Sequence, residues 1–137
     1  MDPTEKLSPP DTARWRFRWL QYRERRIRQL LEAETELPAS LPLLPTGTRV
    51  DTGLWWRKSR VWLAPGEAEW ALLAAGPEPF IQVISFDAIE RCGYNPITGE
   101  LWLDLLTRQP LTSFEVAAII ARQLLAPLQK PEKPAYA

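Results

Sequence analysis

The sequence of 137 residues contains no histidine and one cysteine, Cys92. The commonest general base and the commonest metal ligand are therefore both missing. A single cysteine permits no internal disulfide and no cysteine metal cluster. Excess charge of either sign is lacking as well, since seventeen Lys and Arg balance seventeen Asp and Glu. This excludes a global basic field for nucleic acid or anionic membrane and leaves only local ones. No apolar run approaches the ~20 residues of a membrane-spanning helix. The longest, Trp70 to Ala75, is strand-sized. The start of the chain carries neither a basic nor an apolar region of the secretory kind, and no disulfide pair exists; a cytoplasmic protein is expected.

What is present is a hydrophobic content of 45%, enough for one compact domain, punctuated by fourteen prolines. Proline is poorly tolerated inside helices, and two long proline-free stretches with helical patterning remain, 11–37 and 111–126. The first follows Ser8-Pro9-Pro10-Asp11, a capping serine with proline at the first helical position. Its apolar residues Trp15, Trp19, Leu20, Tyr22, Ile27, Leu30 and Leu31 form a broad arc. Arg16, Arg23 and Arg26 intrude into that arc. From Thr12 to Leu31 seven arginines face one acid, Glu24, a local charge of +6. Residues 38–45 hold three prolines and several leucines, which predicts an extended strap lying along an apolar surface.

From Thr46 to Thr107 the pattern is β. Leu101, Leu103 and Leu105 alternate with Glu100, Trp102 and Asp104, the mark of a half-buried strand, and Asn95 to Gly99 before it reads as a hairpin loop. Residues 61–64 and 70–75 flank the Pro65-Gly66 turn and form a second hairpin. Phe80 to Phe86 is apolar on both faces and predicts a central strand. In the last segment Thr112 and Glu115 have capping-box spacing, with Leu111 and Val116 placed as a hydrophobic staple. The chain thus divides into an Arg/Trp-rich helix with a short leader (1–37), a proline-rich linker (38–45), a β domain with a C-terminal helix (46–126), and a flexible tail (127–137).

Six or seven strands followed by one terminal helix resemble the pleckstrin-homology (PH) architecture over residues 48–126. The local match is Trp56-Arg57-Lys58-Ser59-Arg60-Val61-Trp62-Leu63, which is similar to the basic-aromatic second strand of PH domains. Val83 to Ile89 and the Asn95–Gly99 hairpin look like the later strands of bacterial PH-like domains. The tryptophan common in the terminal helix of eukaryotic members is missing from Phe114 to Leu125. The resemblance implies an α+β fold, a bent antiparallel β-barrel capped by the C-terminal helix and preceded here by a long N-terminal helix. It also implies an anionic-lipid headgroup site at Arg49, Lys58 and Arg60, where clustered cations would bind phosphate oxygens.

Catalytic constellations are missing. Cys92 has Arg91 beside it but no histidine as base, and Glu67 with Glu69, or Asp87 with Glu90, reads as a solvated pair. No Gly-rich phosphate loop is present. The expectation is a protein that is not an enzyme and uses no cofactor or metal. Charge is divided along the chain: 46–63 carries +3 and 64–126 carries −5. Tandem Trp55-Trp56, if in a regular strand, would point to opposite faces and leave one ring needing cover. Trp15 and Trp19 on the first helix, one turn apart, are the complement, and with Tyr22, Trp55 and Trp56 they make up the candidate interface. Protein–protein association, homo-oligomeric in one form, leads; anionic-lipid binding through the basic strand and single-stranded nucleic-acid binding through the helix are the alternatives.

Overall fold

A computed structural model describes residues 9–128, with side chains from Arg18 onward. The Ser8 cap, the Trp15 side chain and the tail beyond residue 128 lie outside the described residues. Helix α1 (Pro9–Glu34) precedes four strands, β1 (Leu44–Val50), β2 (Ser59–Pro65), β3 (Glu69–Ala74) and β4 (Phe80–Ser85). A 3-10 turn, Phe86–Ala88, leads into β5 (Ile89–Asn95), β6 (Glu100–Leu105), β7 (Ser113–Glu115) and helix α2 (Ala118–Leu125). The fold is α+β, with two antiparallel sheets ordered β1-β2-β3-β4 and β5-β6-β7.

Strand pairing does not close these sheets into a barrel. Side chains span the two gaps instead. At one corner the Glu115 N–H donates to Thr48 Oγ1 at 2.9 Å. At the other, the Gln82 amide imitates a strand: its Nε2 donates to Leu111 O at 2.8 Å, and its Oε1 accepts from Leu111 N at 2.9 Å.

The four-stranded sheet carries a buried apolar cluster on each face, so residues 61–64 of β2 and 70–74 of β3 are apolar without a break. Val61, Leu63, Trp70, Leu72 and Ile84 face the second sheet and α2, meeting Leu101, Leu103, Phe114, Val116 and Leu124. Trp70 contacts Phe86 and Phe114 edge-on, at centroid distances of 5.6 and 6.1 Å. The other face carries Trp62, Ala64, Ala71 and Leu73, buried beneath Ile27 and Leu31 of α1 and Leu43 of the linker. Burial of Ile27, Leu31, Leu43 and Leu73 contributes about 1.5–3 kcal/mol each.

Several expectations are corrected. Phe80–Ser85 is an edge strand, not a central one. Ile81 packs with the cluster beneath α1 and Ile84 with the opposite one, so apolar residues on both faces say nothing about position in the sheet order. Thr112 and Glu115 form no capping box: Ser113–Glu115 pairs with β6, inserting Phe114 into the core, and α2 starts later, after Ala117, which makes no side-chain cap. Burial of Phe114 outweighs the local helix signal. The linker lies on apolar surface through Leu37, Leu41 and Leu43, but it turns at 38–41, where Leu41 N–H donates to Pro38 O, and is not extended. The Arg28 guanidinium fixes that turn by donating to Ala39 O and to Leu41 O while pairing with Glu24 at 3.0 Å. The Asn95–Gly99 hairpin forms as expected, with Gly99 at φ 75° in the left-handed region.

Candidate functional site

The helix-period face Trp19, Tyr22, Arg23, Arg26 and Ile27 turns toward the sheet. Ile27 is buried there, and one turn earlier the helix lifts past Ser59 and Trp62 of β2 and leaves a pocket of about 90 Å³. Arg23 and Arg26 line it from the helix, Arg57 and Arg60 from the β1–β2 connection and β2, and among the described residues no Asp or Glu lines the space. Arg60 is held by a 2.9 Å hydrogen bond from its Nη1 to Thr46 O. Beside it Ser59 and Thr52 share a buried 2.6 Å hydroxyl contact.

Arg23 lies over the Trp19 ring, 5.1 Å from its centroid, and Trp19 stacks on Tyr22 at 5.9 Å. Burial first, and then the cations Arg57, Arg49 and Arg60, push the Arg23 pKa below the usual arginine value. A guanidinium does not give up its proton in a protein, so this direction records partial burial first and crowding of like charge second. Among the described residues the ion pairs are Arg28–Glu24 and Arg91–Asp104, and neither reaches the pocket.

A second feature is the loop between β1 and β2. Asp51 Oδ1 accepts the Gly53 N–H at 2.9 Å, and Gly53 takes φ 87°, which reverses the chain before Trp55 and Trp56. Both indoles project into solvent, Trp55 at 91% and Trp56 at 60% exposure, edge-on to each other at 5.7 Å. Together with Arg57 and Lys58 they border a shallow hollow.

The structure sorts the expected residues accordingly. Arg49 and Arg60 come together, directly opposed across β1 and β2, whereas exposed Lys58 lies on the hollow beside the tryptophans. Trp19 and Tyr22 border the pocket. Trp55 and Trp56 do not point to opposite faces of a strand and have no cover from the helix, because residues 51–58 form a turn where alternation does not apply. Arg23, Arg26 and Arg57 were not among the expected site residues. Their signal was present: Arg23 and Arg26 were the charges intruding on the apolar arc.

Elsewhere, Cys92 is half-buried against the main core, and burial pushes its thiol pKa up, away from nucleophilic reactivity. Its neighbour Arg91 is engaged with Asp104 at 2.9 Å. Glu67, Asp87 and Glu90 are exposed. Among the described residues no group of three or more Cys, Asp or Glu side chains could hold a metal ion, and no helix is long and apolar enough to cross a membrane. No protein-family model, curated protein or solved structure matches the chain.

Proposed function

We propose that this protein is a non-enzymatic association module that docks an acidic protein surface through the Trp55–Trp56 turn, with a second copy of the chain as the partner. The observation that carries this reading is Trp55 at 91% exposure, next to exposed Trp56 and flanked by Arg57 and Lys58. Large aromatics and arginines concentrated at one turn have the composition of an interface hot spot. The chain itself supplies the complement. Residues 64–126 carry a charge of −5, and in them exposed Glu100 and Glu115 stand directly opposite each other across β6 and β7, close to the β5–β6 hairpin with Ile97 at 93% exposure. Contact between such unlike patches is heterologous, so it builds rings or open chains.

The same reading treats residues 48–126 as PH-like. A four-stranded meander, a three-stranded meander and a terminal helix follow in that chain order, which supports it, although side chains and not strand pairing bridge the sheets. It also puts the chain in the cytoplasm, in keeping with one free thiol. Anionic-lipid binding is the second reading, favoured by the opposition of Arg49 and Arg60 beside exposed tryptophans.

Sedimentation velocity over a concentration series, at low and high salt, tests the proposal. Mass rising with concentration and falling with salt supports it. A monomer throughout, with flotation on anionic but not neutral vesicles, replaces it by the lipid reading. A monomer that binds a labelled single-stranded oligonucleotide replaces it by the nucleic-acid reading.

A further inference from the structure

The cationic pocket between α1 and β2 shares Arg57 with the tryptophan turn, but its other arginines are not explained by association through that turn. Four arginines, Arg23, Arg26, Arg57 and Arg60, line about 90 Å³, and among the described residues no Asp or Glu lines it. Arg49 adds a fifth positive charge nearby, opposite Arg60 in the ladder. Such an arrangement is unfavourable when the space holds only water, because like charges are brought together and Arg23 is partly withdrawn from solvent. The backbone and packing nevertheless hold it in place. Arg60 is tied to Thr46 O, Arg23 is seated on the Trp19 ring, and Ile27 anchors the helix one residue beyond Arg26.

We propose that this pocket binds a phosphate monoester dianion. Guanidinium forks offer paired N–H donors that match phosphate oxygens, and several forks around one centre suit a tetrahedral dianion better than a planar monoanionic carboxylate. The volume accommodates one such group. The stacked rings of Trp19 and Tyr22 form one wall, against which the carbon portion of the ester lies. The ligand bridges the helix and the sheet, so binding strengthens the docking of α1.

The test compares thermal midpoints in phosphate and in chloride at equal ionic strength. At phosphate tenfold above its dissociation constant, the wild-type midpoint rises by about 4 °C. Arg23→Gln and Arg57→Gln each lose that rise, yet in chloride they melt at or above the wild-type temperature, since each removes a repelled charge. This inversion separates a binding role from a packing role: a variant that melts lower in both buffers by the same amount overturns the proposal. So does a wild-type midpoint that phosphate leaves unmoved, or a rise that persists in both variants. Glycerol 3-phosphate and vesicles of phosphatidic acid in phosphatidylcholine distinguish the source of the phosphate. A midpoint shift by glycerol 3-phosphate assigns a soluble ester. Flotation with phosphatidic acid vesicles, absent with phosphatidylcholine alone and lost in Arg23→Gln, assigns a lipid headgroup.

Discussion

Arg49 of β1 stands directly opposite Arg60 of β2 in the antiparallel ladder, two like charges in cross-strand register that form no ion pair with any described carboxylate. Like charges so placed are destabilising, and reversing one converts repulsion to attraction, each on the order of 0.2–1 kcal/mol. Arg49→Glu is therefore expected to raise the unfolding free energy by about 1 kcal/mol, measured by urea titration in phosphate-free buffer. A loss of stability would mean that Arg49 makes a favourable interaction which the register does not reveal.

Leu31 tests whether α1 belongs to the folded unit. It is fully buried against the sheet with Ile27, Leu43, Trp62 and Leu73. Leu31→Ala is expected to cost about 2–5 kcal/mol in a single cooperative transition. A cost below about 1 kcal/mol, or separate transitions by circular dichroism and tryptophan emission, would mean that the helix docks only loosely.

Gln82 replaces a strand at the seam between the sheets. It is 5% exposed and hydrogen-bonds both the N–H and the C=O of Leu111. Gln82→Leu keeps the volume and leaves both groups unpaired, so a loss of about 1–3 kcal/mol is expected by denaturant titration. An unchanged midpoint would show that water satisfies the seam equally well.

These residues also show what was legible beforehand. The alternation of Leu101, Leu103 and Leu105 placed β6 correctly, because a half-buried strand writes its period into the sequence. The Thr112–Glu115 spacing misled because a capping box is a local signal, and burial of Phe114 against Trp70 is a long-range one. The sheet order was illegible for a related reason: edge β4, like central β3, places apolar residues in the clusters on both faces. Of the candidate site, the aromatics and Arg60 were visible one by one. The pocket was not, since it depends on where α1 lies on the sheet. Arg23 and Arg26 read as flaws in an apolar stripe until the stripe was seen to cross β2 beside Arg57 and Arg60.

Cys92 gives a pH dependence with a definite sign. Burial raises the folded thiol pKa above its ordinary 9.0, so the folded chain holds its proton longer than the unfolded chain. Stability from this group is complete below pH 9 and declines as the pH rises through the ordinary value toward the raised one. Cys92→Ala should flatten that alkaline decline. Thiol labelling of the native protein at pH 8 should be slower than that of the denatured chain. Equal labelling rates would show that the thiol is open to solvent.

The central claim is that Trp55 and Trp56 form an association surface, and the most direct measurement is sedimentation velocity of wild type beside Trp55→Ala/Trp56→Ala. Both indoles are exposed at a turn, so their loss should change the unfolding free energy by no more than about 0.5 kcal/mol. The account predicts that wild type gains mass with concentration, and that the equally stable double variant stays monomeric over the same range. Identical concentration dependence in the two proteins, with both folded, would contradict it.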